Sequence, residues 1–462
     1  MVGSKEMVAT ALADKIGELS KAFTGRILQP ADPAYETARR VHNGLIDKRP
    51  AIIAQCRGAA DIVDAIRLAR ERNLEVAVRG GGHNVAGRST IDGGVMIDLS
   101  TMQGVHVDPK VRTARAQGGL TWNGFNRETQ LHGLATTGGV ISTTGIGGLT
   151  LGGGIGWLMG KHALALDNLL SVDVVQADGT LLTASAEKHP DLFWALRGGG
   201  GNFGIAASME YRLHPVGPMV TGGVIAYPFH EAWDVLRFYR DVTSSLPDEL
   251  TVFGGLIHAP DGSGAKLVAM IVCHCGSLAD GEDALKTIKA FRSPAMDAAG
   301  PIPYCQLNMM LDDGFPRGAL NYWKSAFLSG LGDDAIRTMI DSFAQCPTPM
   351  GALMLEHFHG AVTRVGVTDT AFPHRDEGHN LLVLGQWTDP KESEACISWA
   401  RDAYNAMAAF MGPGRYVNYL GEDEQSEVPS AYGQNYRRLT QIKAKYDPDN
   451  FFRMNQNIRP SA

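Results

Sequence analysis

The chain has no run of about 18 apolar residues, so nothing in it reads as a membrane-spanning helix. Cysteine is scarce. Six cysteines, at positions 56, 273, 275, 305, 346 and 396, are too few and too scattered for a disulfide scaffold. No block of Lys or Arg stands out. Forty-two basic against 49 acidic residues leave a net charge of −7, which argues against a general binder of nucleic acid or membrane surface. Neither an internal repeat nor a low-complexity linker is present. The N-terminus lacks an apolar signal core and a twin-arginine pair, and the expected compartment is the cytoplasm. A charged amphipathic stretch leads from there to near Phe23.

What the chain does have is length and glycine. Its 462 residues imply two or three domains at about 150 residues each. Hydrophobic residues at 44% and charged residues at 20% are globular values. Glycine is in excess, 55 of 462 residues against a usual ~7%. The excess is local, concentrated in three fields. The first is Arg79-Gly-Gly-Gly-His83-Asn-Val-Ala-Gly87. The second runs from Gly133 to Gly156, and the third is Arg197-Gly-Gly-Gly-Gly-Asn202-Phe-Gly204.

Strand and helix signals surround these fields. Strands are expected at 51–54, 76–78, 95–99, 111–116, 169–176 and 206–213, and a helix over 59–72. Asp178-Gly179 reads as a hairpin turn. After Pro215-Val-Gly-Pro218, strands at 220–226, 250–257, 266–273, 352–365 and 380–387 alternate with helices at 232–243, 280–290, 333–345 and 392–410. Gly412-Pro-Gly414 marks a second boundary, followed by a helix over 432–446. Cys273-His274-Cys275 ends a run that reads as a buried strand. With no second Cys/His pair at zinc spacing, packed thiols are expected there and no metal.

Glycine-rich turns expose backbone N–H groups and permit a close approach to phosphate. None of the three matches a dinucleotide fingerprint or a P-loop. His83 lies in the tightest of them. It is either a hydrogen-bonded loop histidine or a nucleophilic imidazole beside a bound cofactor, and composition does not choose between these.

The first loop closely resembles the phosphate-cradling loop of the berberine-bridge-enzyme-like FAD-linked oxidases of the vanillyl-alcohol-oxidase superfamily. The resemblance continues through Gly138-Gly-Val-Ile-Ser-Thr-Thr-Gly-Ile-Gly-Gly148, Leu192 to Gly204, Phe372-Pro-His-Arg375, Tyr416-Val-Asn-Tyr419 and Tyr446 to Phe452. It implies an α+β fold: a two-lobed FAD-binding domain of residues 1–215, a substrate domain of 216–411 with a large antiparallel sheet flanked by helices, and a segment of 412–462 returning to the first domain. It also implies FAD covalently bound through His83. Further cofactor contacts are implied from Arg79, Gly80, Gly81, Gly82, Asn84, Gly87, Gly138, Gly139, Thr143, Gly145, Gly148, Leu149, Ile205 and Asn418.

Two departures from the family, at Ile141 with Leu149 and at Thr144, stand out. Many members carry a second flavin link from a cysteine where this chain has Ile141, so attachment is expected through His83 only. Leu149 stands where doubly linked members commonly have histidine. Thr144 replaces a usual aliphatic residue. It reads either as a hydroxyl capping a glycine-rich turn or, with Leu149, as resembling a bacterial branch that retains oxygen as a flavin-N5-oxide.

Oxidising an alcohol or phenol requires a base for the O–H proton. In Met354-Leu-Glu356-His357-Phe-His359, period two puts Glu356 on one face and both histidines on the other. The resemblance favours Glu356 as base, and a solvated strand edge is the alternative. Gln386 either enters the cavity or ends its strand. Tyr419 matches a tyrosine near the flavin in relatives, or is a core aromatic with its hydroxyl on a carbonyl. The leading expectation is an oxidase of a small alcohol, phenol or amine that passes electrons to O2 and forms hydrogen peroxide. A flavin-N5-oxide oxygenase is the alternative, and a non-catalytic FAD-binding protein stands outside enzymes. The expected partners are a small-molecule substrate and O2, with no nucleic acid and no membrane.

Overall fold

The computed structural model describes residues 23–461; the N-terminal amphipathic stretch lies outside the described residues. Strands β1 (Arg26–Leu28), β2 (Ile52–Gln55), β3 (Val76–Arg79) and β4 (Val95–Asp98) form one sheet in the order β1-β2-β4-β3. Both β2 and β3 run parallel to β4. The helix Ala59–Glu71 makes the crossover between β2 and β3 and buries Ile62, Ala65, Ile66 and Ala69 against the sheet, the stripe that its spacing requires.

A second sheet is antiparallel throughout. It contains β5 (Val105–Asp108) and β6 (Thr113–Gln117). After the short β7 (Leu134–Ala135) come β8 (Leu169–Val175), β9 (Leu181–Ser185) and β10 (Ile205–Arg212), in the order β5-β6-β10-β8-β9. The β8–β9 turn holds Gly179 at φ 86°, a conformation that favours glycine. Strand β11 (His214–Pro215) pairs back onto β7.

The remaining strands build an eight-stranded antiparallel sheet. They are β12 (Met219–Pro228), β13 (Leu250–His258), β14 (Lys266–His274), β15 (Met296–Asp297), β16 (Gly300–Pro303), β17 (Leu320–Phe327), β18 (Ala352–Phe358) and β19 (Gly378–Trp387). The order is β15-β12-β14-β13-β18-β19-β17, with β16 on the start of β12. One face packs Val252, Leu256, Val268, Met270, Leu353, Leu355, Leu381 and Val383 against the helices Ala232–Thr243, Asp333–Ala344 and Ser393–Ala406. The alternate residues, among them Phe253, Ile271, Met354, Glu356, Leu382 and Leu384, face a cavity.

Several boundaries differ from expectation. The strand from Ala352 stops at Phe358, because Gly360 takes a positive φ and a 3₁₀ turn follows over Gly360–Arg364. The expected 392–410 helix ends at Ala406, and the expected 432–446 helix starts at Tyr436. The helix Trp122–Gln130 and strand β17 were not expected from the sequence. In β17 the pattern is obscured by Lys324, whose Nζ is buried and paired with Asp423 at 2.8 Å and Glu424 at 3.3 Å.

The C-terminal helix Tyr436–Tyr446 packs onto the core of the second sheet through Leu439 and Ile442. Lys443 in this helix is fully buried. Its Nζ donates to Asp447 Oδ2 (2.6 Å), to the carbonyl of Asn202 (2.6 Å) in the third glycine field, and to the carbonyl of Phe452 (3.0 Å). Removing one partner of such a pair leaves the other charge uncompensated. Lys443→Met is expected to cost about 3–5 kcal/mol, read as a lower urea midpoint.

Candidate active site

The eight-stranded sheet and the three glycine fields enclose a cavity of about 910 Å³. Gly80, Gly81, Gly82, His83 and Asn84 line it from the first field. Ile141, Thr144, Gly145, Gly148 and Leu149 come from the second, and Gly200 to Asn202 from the third. Asn418 and Tyr419 enter from the C-terminal segment, and Glu356 from β18.

The first two fields touch backbone to backbone. A Cβ on Gly81 would overlap the backbone of Gly145, and one on Gly145 would overlap Gly81. This close approach positions His83. Its Nε2 lies 2.8 Å from Thr143 Oγ1 and its Nδ1 lies 3.3 Å from Thr144 Oγ1. The ring stacks on His42 with centroids 4.0 Å apart. Burial, then the neighbouring His42 and Arg317, pushes the His83 imidazole down to about 3, so it is neutral at physiological pH.

Several residues expected to touch the cofactor stand elsewhere. Arg79 does not line the cavity. Its Nε donates to Asp98 Oδ1 (2.9 Å), another nitrogen pairs with Asp98 Oδ2, and Nη1 donates to the carbonyls of Ala38 (2.6 Å) and Arg40 (3.1 Å). With all three guanidinium nitrogens engaged by protein, it fixes the base of the loop. Burial alone would raise the Asp98 carboxyl, but the Arg79 guanidinium holds it below its ordinary value. Gly87 packs on Ile46, and Gly138 and Gly139 pack on Trp122; their small size serves packing. Thr143 sits behind His83. Ile205 is buried in the core of the first sheet. Gln386 lies on the cavity face of β19 but turns aside, donating to the carbonyl of Gly314 (2.7 Å).

Glu356 is a buried carboxylate held by two donors. Tyr419 Oη donates to Oε1 at 2.8 Å, and Asn380 Nδ2 donates to Oε2 at 2.8 Å. Asn380 is its directly paired residue on β19. Burial pushes the Glu356 carboxyl up to about 7, against the opposing effect of these two hydrogen bonds. The Tyr419 phenol is raised well above its ordinary value by burial and by Glu356, so it remains a donor. His357 and His359 face away, stacked at 4.9 Å. None of the six cysteines lines the cavity. Among the described residues no cluster of three or more His, Cys, Asp or Glu suits a metal ion.

Sequence reading missed His42, Arg88, Ser89, Asn380 and Trp323. Their signals are spatial: Asn380 is recognised only by strand register, and His42 only by its stack. Arg88 and Ser89 follow the first glycine loop directly and could have been included with it. In the cavity wall, Arg88 Nε and Nη2, Ser89 Oγ and Gln456 Oε1 are buried without a protein partner. A Cβ on Gly148 would meet nothing within 4 Å. Unpaired buried polar groups of this kind take partners from outside the protein, a polar ligand or water.

Known proteins supply the identity of that ligand. Residues 50–185 match the FAD binding domain family, and residues 415–459 match the berberine and berberine-like family. The FAD-linked oxidoreductase pgmH of Aspergillus terreus is 36% identical over 487 residues, covering 94% of each chain. The (R)-6-hydroxynicotine oxidase of Paenarthrobacter nicotinovorans is 30% identical over 455 residues, covering 96% of this chain and 98% of that one. The crystal structure of 6-hydroxy-D-nicotine oxidase from Arthrobacter nicotinovorans has a TM-score of 0.87 at 28% identity, covering 95% of this chain and 98% of the other. FAD fits the unpaired donors: its phosphates and hydroxyls suit Arg88, Ser89 and the backbone of the first glycine loop. The chain belongs to the berberine-bridge-enzyme-like family of FAD-linked oxidoreductases.

Proposed function

We propose that this enzyme is an oxidase with FAD covalently bound through His83 alone, acting on an alcohol, phenol or amine, with Glu356 as its proton acceptor. Residues 1–215 and 412–462 hold the cofactor, and residues 216–411 hold the substrate. Bound FAD supplies a two-electron acceptor and returns the electrons to O2 as hydrogen peroxide. Glu356 carries the reading: a carboxylate with a pKa near 7, buried on the cavity wall, is poised to take a proton at neutral pH. Tyr419 and Asn380 hold its two oxygens in place.

His83 is suited to attachment because its imidazole is neutral and therefore nucleophilic. Its Nε2 is within hydrogen-bond distance of Thr143, and Nδ1 lies on the side of Thr144, which lines the cavity; in the tautomer protonated at Nε2 the Nδ1 lone pair is the nucleophile. Ile141 lines the cavity where doubly linked relatives carry a thiol. The oxygenase alternative rests on Thr144 and Leu149, both in the cavity wall, with the Thr144 hydroxyl beside His83.

Five outcomes follow from these assignments. Acid-precipitated wild-type protein retains its yellow colour, His83→Ala releases its flavin, and peptide mass spectrometry finds one flavin-bearing peptide, the one containing His83. Flavin recovered entirely in the wild-type supernatant would refute the tether. Glu356→Gln lowers turnover by about 10²-fold or more, while wild-type activity rises with pH through about 7.

The same carboxyl makes stability depend on pH. Its folded value of about 7 lies above the ordinary 4.5, so its contribution is fully present at low pH and is lost as pH rises through 7. Relative to Glu356→Gln, wild-type unfolding free energy should fall by about 3 kcal/mol between pH 4.5 and 8, measured by urea titration. Turnover under ¹⁸O2 should place the label in peroxide; label in the organic product would replace the oxidase reading with the oxygenase.

A further inference from the structure

Beyond Glu356, the cavity wall changes character. Phe315, Trp323, Tyr419 and Tyr416 follow one another edge to face, with centroid separations of 6.1, 6.1 and 4.8 Å. All four line the cavity, so they form a continuous aromatic wall that reaches the carboxylate. The sheet places aliphatic residues against it. Across the strands, Trp323 pairs with Leu384 and Leu384 with Ala352; in the next row Met354 pairs with Leu382. Leu382, Leu384 and Met354 pack with Phe315, Trp323 and Tyr419 as one hydrophobic cluster.

Charge is confined to the ends. Among the described residues, Arg88 is the only Lys or Arg in the cavity wall, and it follows the first glycine loop. Asp313 lies exposed. Within the slot the only ionisable carboxyl is Glu356, and each of its oxygens already accepts one hydrogen bond.

We propose that this slot takes an uncharged aromatic substrate, its rings lying on the apolar surface that the aromatic wall and the neighbouring aliphatic side chains of β18 and β19 form together, and its hydroxyl donating to Glu356. The proposal rests on the reading of Glu356 as the proton acceptor. Offset or edge-to-face stacking favours flat rings. A carboxylate on the substrate would meet no cation here. An ammonium would have aromatic faces on one side only and a single carboxylate already engaged by two donors, so its desolvation would be poorly repaid. A sugar would leave several hydroxyls unpaired against leucine and methionine.

The test is equilibrium binding to the holoenzyme, followed by the perturbation of flavin absorbance. The probes are 2-naphthol, its anionic relative 6-hydroxy-2-naphthoate, its cationic relative 6-(aminomethyl)-2-naphthol, and cellobiose. Binding of 2-naphthol at least tenfold tighter than each of the others is expected. Trp323→Ala should weaken 2-naphthol about tenfold, with Trp323→Phe recovering most of it. Equal or tighter binding of either charged naphthol or of cellobiose overturns the slot, on wild-type protein alone, whatever the variants do. Failure of the underlying oxidase reading registers separately: photoreduced wild-type enzyme that is not reoxidised by air defeats that reading regardless of which probe binds.

Discussion

The contact between Gly81 and Gly145 is the constraint on which the site depends. Two loops more than sixty residues apart meet through bare backbone, and no side chain fits between them. Their separation fixes how far His83 stands from Thr143 and Thr144, and so which ring nitrogen meets which hydroxyl. The approach is rigid because each loop is anchored from behind. Arg79 ties the root of the first loop to Asp98 on the neighbouring strand and to the chain at residues 38–40. The second loop is held by Asp312, whose Oδ1 accepts the Ser142 N–H at 2.8 Å and whose Oδ2 accepts its hydroxyl at 2.5 Å. Backbone hydrogen bonds also run from the His42 N–H to the Gly82 carbonyl (3.0 Å), which sets the imidazole stack.

A second constraint opposes folding. Burying the Glu356 carboxylate among apolar neighbours is costly, and two neutral donors offset only part of that cost. The balance is visible in the carboxyl itself, which settles at about 7, between its ordinary 4.5 and the higher value that burial without donors would give. The donors come from different places. Asn380 is supplied by antiparallel register within the sheet, and Tyr419 by the C-terminal segment that crosses back over the cavity. Holding the Glu356 carboxylate therefore requires the sheet and the returning segment together. Asn418 reinforces this closure, donating to the carbonyl of Leu149 at 3.0 Å and so linking the segment to the second glycine loop.

Much of this was legible in the sequence. Local glycine excess marked the three loops because positive φ and close approach are backbone requirements that show directly as composition. Strand period placed Glu356 and the two histidines on opposite faces correctly. Arg79, Gly87, Gly138 and Gly139 lie inside the same motifs yet do not line the cavity: Arg79 anchors the loop to Asp98 and the three glycines serve packing, since a motif records which residues the loop needs and not which atoms face the cavity. Asn380 and His42 were missed for a different reason: their contacts are created by pairing between distant segments, and a single sequence carries no trace of that pairing.

The cavity face of the large sheet was the least legible part, and the sheet itself explains why. Strands such as β13, β14, β18 and β19 are apolar on both faces, so alternation gives no sign of which face is core. Leu381 and Val383 pack against helices, while Leu382 and Leu384 face the cavity. Chemically these are the same residues doing different things. In a soluble antiparallel sheet one face is commonly polar; here both are apolar because one is covered by protein and the other adjoins the cavity. The polar exceptions on the cavity face of β19, Asn380 and Gln386, are the more informative positions. One holds the carboxylate and the other anchors the Gly314 loop beside Phe315, so the two ends of the slot are set by the only side chains on that strand face that break the apolar pattern.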